Sequence, residues 1–233
     1  AAAWQRAAQI YAGRQDMGNM AKYYEGLIQN FPKASPAALA EAHFLLGRAA
    51  FDQGDFKSSI SHMAEAKTLD PQKYGEQVNV LSVLSYHKLQ DVNKLKEALE
   101  TLQKENPSAV ARVPDVIPAW LGLQAYGMKD LETADKYMTW ATQNDQLQNV
   151  KKVIWRNLAK VRLALKKYDR ALVASNNFLK DEDQPYRRAD GMLDKASILL
   201  GLGKYSDARK TAEEALALGV EGPLMASLKI VLG

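Results

Sequence analysis

One order of residues is written six times along this chain. A chain that repeats at a fixed period buries each unit against its neighbours rather than around a single centre. The stretch from Ala40 to Pro71, AEAHFLLGRAAFDQGDFKSSISHMAEAKTLDP, shows the pattern: small Gly47, a turn at Gly54-Asp55, aromatic Phe56, small Ser59 and Ala66, and Pro71. Units of this form begin near Ala1, Ala40, Glu76, Asp115, Lys152 and Ala189, so successive starts lie 36 to 39 residues apart. In a 34-residue frame they span about 1–34, 40–73, 76–109, 115–148, 152–185 and 189–222, with 223–233 left as a cap. Each reads as helix A near frame positions 2–14 and helix B near 17–30. The expectation is an all-α solenoid of about six helix-turn-helix units plus a partial C-terminal capping helix, in one domain over 1–233.

The frame assigns physical roles. Where two helices cross closely, the side chains at the crossing must be short. Position 8 reads Ala8, Gly47, Val83, Gly122, Ala159 and Ala196; position 20 reads Met20, Ser59, Leu95, Ala134, Ala171 and Ala208. Position 27, which packs on the next helix A, reads Leu27, Ala66, Leu102, Ala141, Phe178 and Ala215. The turn falls at Gln15-Asp16, Gly54-Asp55, Gln90-Asp91, Lys129-Asp130, Lys166-Lys167 and Gly203-Lys204. Asp there can cap helix B by accepting from its free N–H groups. Pro32, Pro71 and Pro107 are expected to close helix B, where a missing N–H does no harm.

These positions resemble the tetratricopeptide repeat superfamily over essentially all 233 residues,. The second, fourth and sixth units follow its pattern most closely. The third departs most, because Val83, Leu95 and Leu102 stand where small residues belong; wider helix spacing is expected there. Residues beyond the 34-residue frame are expected in loops such as Lys33 to Pro36 and Ala109 to Pro114. The run NFPKASPAALAEAHFLLG, from Asn30 to Gly47, is similar to repeats of bacterial envelope proteins, including outer-membrane assembly lipoproteins and cell-division coordinators. It implies a periplasmic or envelope location, with the cytoplasm as the alternative.

The resemblance further implies a right-handed superhelix whose concave groove is lined by helix A, at frame positions 2, 5, 9, 12 and 13. On this chain the candidate partner-binding residues are Gln5, Gln9, Phe44, Arg48, Phe51, Leu84, His87, Leu123, Tyr126, Lys152, Arg156, Lys160, Leu193 and Ser197. Lys152, Arg156 and Lys160, spaced by four, share one helical face. They could hold acidic groups of a partner, or pair internally with Asp190 and Asp194 on the next helix A. The two-carboxylate clamp of chaperone-binding members is not matched: position 9 reads Gln9, Arg48 and Leu84 in the first three units.

Composition excludes some chemistry. There is no cysteine among the 233 residues, which removes disulfides, thiol nucleophiles and thiolate metal sites,. The three histidines, His43, His62 and His87, lie in different helices and form no metal motif, so no metal or other cofactor is expected. No nucleophile elbow, phosphate loop or dinucleotide fingerprint occurs, and no base, nucleophile and stabiliser converge in the sequence; no enzyme activity is expected. No apolar run is long enough for a membrane span. The net charge is +4, with 16 Lys and Arg against 10 Asp and Glu after residue 150. An excess this small is what a solvated surface carries, and nucleic acid is not expected as a partner.

The expected function is therefore non-catalytic: a scaffold that binds a peptide or helix of a partner protein in its groove, within a bacterial envelope complex. Two other readings stay open, a self-assembling homo-oligomeric module and the regulatory repeat region of a larger multidomain protein.

Overall fold

The computed structural model describes residues 1–143 and 148–232, and every regular element among them is helical. The chain divides into two compact units, Ala1–Val113 and Pro114–Gly233. The first holds α1 (Ala2–Gly13), α2 (Met17–Asn30), α3 (Pro36–Asp52), α4 (Phe56–Leu69), α5 (Pro71–Lys88), α6 (Val92–Glu105) and a 3-10 helix over Pro107–Arg112. The second holds α7 (Val116–Gly127), α8 (Leu131–Thr142), α9 (Gln148–Ala164), α10 (Tyr168–Lys180), α11 (Pro185–Gly201), α12 (Tyr205–Leu216) and α13 (Gly222–Leu232). Within each unit every helix packs on the one before it, the α-solenoid arrangement that the repeat implies.

The A-to-B turn has the same backbone form six times. Its first residue, Gln15, Gly54, Gln90, Lys129, Lys166 or Gly203, takes a left-handed conformation with φ between 55° and 82°. Only two of the six are glycine, so four units accept the steric cost of a side chain there. The next N–H then reaches back five residues to a carbonyl, as in Asp16 to Tyr11 at 3.0 Å and Asp130 to Ala125 at 2.9 Å, satisfying a carbonyl at the helix end,. Asp16, Asp55, Asp91 and Asp130 each accept from the backbone N–H three residues on, at 3.0–3.2 Å. A cap of this kind stabilises a helix by about 1 kcal/mol. Lys167 and Lys204 supply no such cap.

The crossing positions are buried as the frame requires. Positions 8, 20 and 27 are at most 3% exposed at every non-glycine residue, from Ala8 and Met20 through Ala208 and Ala215. Where position 8 is glycine the helices meet still more closely. A Cβ on Gly47 would lie 3.1 Å from the His62 Cβ, and one on Gly122 would lie 2.9 Å from the Met138 backbone nitrogen. In the third repeat, with Val83, Leu95 and Leu102 at these positions, α5 and α6 approach closely along less of their length than any other hairpin.

Two expectations about the connections need correction. Pro71 opens α5 rather than merely closing α4, and Pro107 opens the 3-10 helix. The missing N–H of proline is harmless at a first helical position, and its fixed φ suits one. Asp70 ends α4 and at once caps α5, accepting from the Lys73 N–H at 3.1 Å. The residues beyond the 34-residue frame therefore lengthen helix A in part, to 17 residues in α3 and 18 in α5. Ala109 lies in a helical turn and is buried, not in a loop as expected.

The second unit carries a buried polar joint between α8 and α9. Arg162 Nε donates to Asp135 at 2.8 Å, its Nη2 donates to Thr139 at 2.7 Å, and its Nη1 donates to the Arg170 carbonyl at 3.2 Å. Lys167 adds a 2.9 Å contact to the other Asp135 oxygen. Burial acts to raise the Asp135 pKa, but the hydrogen bonds from Arg162 and Lys167 outweigh it and hold the carboxyl below its ordinary value. The joint therefore adds stability above the ordinary aspartate range and loses it as pH falls through the depressed value.

The crossing at Gly122 can be tested alone. Alanine there gains about 1 kcal/mol of helix propensity, yet its Cβ must displace the α8 backbone, and overpacking costs about 1–3 kcal/mol. Gly122→Ala is expected to lower the urea midpoint of unfolding; a raised midpoint would mean that the α7/α8 contact is slack.

Candidate functional site

Helical spacing assembles a cleft in the first unit. Phe44, Arg48 and Phe51 follow each other at i, i+4 and i+7 on α3, and Gln77, Leu81 and Leu84 do the same on α5. These two faces, with Asp52, Val80 and Arg112, line a cleft of about 400 Å³. Its floor is apolar. The Phe44 ring is buried and stacks on Tyr74 at 4.6 Å, while Phe51 meets Phe56 edge-on at 5.4 Å. Its rim carries two exposed cations, Arg48 and Arg112; Arg112 also reaches Glu76 at 2.7 Å. A concave apolar floor flanked by guanidinium groups suits an apolar side chain with a carboxylate nearby.

Gln5 and Gln9, also named as groove residues, are engaged elsewhere. Both donate to Glu41 on α3, at 2.9 and 2.7 Å, and the buried Tyr24 hydroxyl donates to the same carboxylate at 2.8 Å. Burial acts to raise the Glu41 pKa, but the bonds from Gln9, Tyr24 and Gln5 prevail and lower it. The same contact, added to burial, pushes the Tyr24 phenol well above its ordinary value. These groups tie α1 and α2 to α3. His87 is half-buried on α5 and stands outside the cleft lining; burial, then the neighbouring Lys88, lowers its pKa.

A second cleft, of about 300 Å³, lies within the second unit and brings Tyr126, Lys152, Arg156 and Lys160 together with Phe178, Glu182 and Arg187. Its cations are matched by the protein itself. Arg156 pairs with Asp190, and Lys152 donates to the Asp181 carbonyl. Lys160 stands 3.6 Å from Asp194, and Arg187 stands 3.6 Å from the buried Glu182. Burial pushes the Asp194 pKa up against the pull of Lys160 and Arg156. The Arg156 guanidinium also lies over the Phe178 ring, 5.9 Å from its centre. The internal alternative weighed for this basic stripe is thus realised in its geometry. Leu123 and Leu193 pack against the core, and the Ser197 hydroxyl donates to the Leu193 carbonyl at 3.0 Å.

Four predicted residues, Phe44, Arg48, Phe51 and Leu84, therefore converge on one cleft, and four more on another. Gln77, Leu81 and Arg112 were missed. Gln77 occupies frame position 2 and was legible from the groove rule; Arg112 lies in a segment read as a loop and carried no signal.

A tetratricopeptide repeat family model matches residues 40–73, and a second tetratricopeptide repeat model matches residues 193–233. No curated protein matches the chain significantly by sequence. Among solved structures, one of the Naa15/Naa10 complex bound to HypK-THB aligns with a TM-score of 0.54 at 14% identity, covering 99% of this chain and 33% of that chain. BtubC (BKLC) from P. vanneervenii aligns at 16% identity with a TM-score of 0.40, covering 93% of this chain and 91% of that one. The TPR2AB domain of yeast Sti1 in complex with pHSP90 aligns at 14% identity with a TM-score of 0.41, covering 98% and 94%. The chain spans a third of the Naa15/Naa10 structure's chain, and likeness at these identities shows the fold alone.

The two clefts differ in how far their cations are committed, and stability measurements can read that difference. Asp190→Ala removes a partly buried, charge-assisted partner and is expected to cost about 1–2 kcal/mol. Arg48→Ala removes an exposed side chain and is expected to stay within about 0.5 kcal/mol of the parent. Equal losses in urea unfolding would erase the distinction between them.

Proposed function

We propose that this protein, which belongs to the tetratricopeptide repeat superfamily, is an interaction scaffold that holds an extended or helical segment of a partner protein in the first-unit cleft. The observation that carries this reading is the pairing of an apolar floor, made by Phe44, Phe51 and Leu84, with exposed Arg48 on its rim. The partner segment presents one large apolar side chain to the floor and a carboxylate to Arg48. Apolar burial would supply most of the affinity, and the guanidinium contacts would fix orientation and speed association. The second cleft is secondary in this reading, because Asp190 and Asp194 already face its cations. The setting proposed is a complex of the bacterial envelope, supported by the resemblance of the Asn30 to Gly47 run and by the absence of cysteine.

Selection from a displayed random-peptide library tests the reading. The enriched peptides are expected to share an apolar residue within a few positions of Asp, Glu or a free C-terminus. Phe51→Ala and Arg48→Glu should each weaken the best peptide about tenfold or more with the helical spectrum intact, whereas Arg156→Ala should leave its affinity unchanged. Peptides that bind all three variants like the parent would move the site elsewhere.

A further inference from the structure

Two of the three histidines, placed in different helices by the sequence, meet in the structure. His43 lies on α3 and His62 on α4, and their Nδ1 atoms are 3.0 Å apart with ring centres at 5.2 Å. The approach follows from Gly47. It stands one helical turn beyond His43, on the same face, and has no side chain to hold α4 away; the His62 Cβ lies 3.1 Å from where a Cβ would sit. The close crossing at frame position 8 therefore delivers the two imidazoles to each other. Both rings are half-buried, so their Nδ1 atoms are shielded in part while the rings stay within reach of solvent.

We propose that His43 and His62 form a two-nitrogen site for a divalent transition metal, with geometry best suited to Cu(II) or Ni(II). Metal–imidazole bonds are about 2.0–2.1 Å long. Two nitrogens 3.0 Å apart then subtend roughly 90–97° at a metal bonded at that length. That angle is the one between adjacent positions of a square-planar or tetragonal ion, and is narrower than a tetrahedral ion prefers. Binding requires each ring to turn slightly about its Cβ–Cγ bond, so that both lone pairs face one metal position while the nitrogens stay near their present separation. In the metal-free pair, one Nδ1 carries the proton that it donates to the other. Binding needs both Nδ1 atoms free, so that proton moves to Nε2 of the same ring, and both imidazoles remain neutral.

The surroundings favour this occupant. Burial, together with the charge of His62, lowers the His43 pKa, and burial likewise lowers that of His62, which favours the neutral form that a metal requires,. Glu65 acts electrostatically on both rings, and Glu25 and Asp55 act on His62, adding negative charge that attracts a cation. Among the described residues no group of three or more His, Cys, Asp or Glu is arranged around a metal position, so water completes the coordination. Such a site clamps α3 to α4 across the second repeat without taking part in the peptide cleft.

The chain's three histidines give a clean readout. Copper(II) chloride is titrated into the intact protein while the imidazole carbon-bound proton signals are followed by NMR. One equivalent is expected to broaden two of the three histidine signals selectively, and the copper EPR spectrum is expected to show nitrogen hyperfine splitting. His43→Asn and His62→Asn should each weaken copper and nickel binding at least tenfold, while His87→Asn binds as the parent does. Broadening of none, of one or of all three histidines alike would overturn the proposal, as would parent-like affinity in either pair variant. The parent spectrum decides the question even where a variant fails to fold.

Discussion

Everything in this protein hangs on how closely two helices can cross within each repeat. The approach is set by single side chains at frame positions 8 and 20. Where these are glycine and serine or alanine, as at Gly47 with Ser59 and Gly122 with Ala134, the helices approach until a further methyl group would strike the opposite helix. Where they are Val83 and Leu95, the two helices run close along less of their length. Spacing within hairpins then fixes which faces of successive A helices look at each other, and so decides what a cleft can contain. The Phe44–Phe51 face of α3 and the Gln77–Leu84 face of α5 form a cleft for this reason, and the His43–His62 contact comes from the same crossing.

The repeat was legible because its constraints are local. A turn residue that takes a left-handed conformation recurs at one frame position, followed by a capping Asp in four units and by Lys in two, and sequence alone located all six turns. The ends of the helices were less legible. Pro71 reads equally as a stop for one helix or a start for the next, since proline suits both places; only the packing of α4 on α5 decides in favour of a start. The segment around Ala109 looked like a linker, yet Ala109 is buried inside a helical turn.

The candidate site was legible in outline and not in detail, for a physical reason. A frame position says which way a side chain faces, and Phe44, Arg48, Phe51 and Leu84 do share a cleft. It does not say whether a polar group is already satisfied. Gln5 and Gln9 donate to Glu41, and Lys152, Arg156 and Lys160 face acceptors on the following segments, because packing brings donors and acceptors of the chain itself within reach of each other. The histidine contact joins frame positions 4 and 23 of one repeat, a pairing that no short motif records.

The proposal that a partner enters the first cleft rather than the second rests on one difference: the cations of the second already face acceptors of the chain itself. Amide chemical-shift mapping with a peptide that carries a leucine beside a C-terminal aspartate tests it most directly. The account predicts shifts centred on Phe44, Arg48, Phe51, Leu81 and Leu84, with the Lys152 to Lys160 stretch unmoved. Shifts centred on Lys152, Arg156 and Lys160 would contradict it and make the internal pairs displaceable.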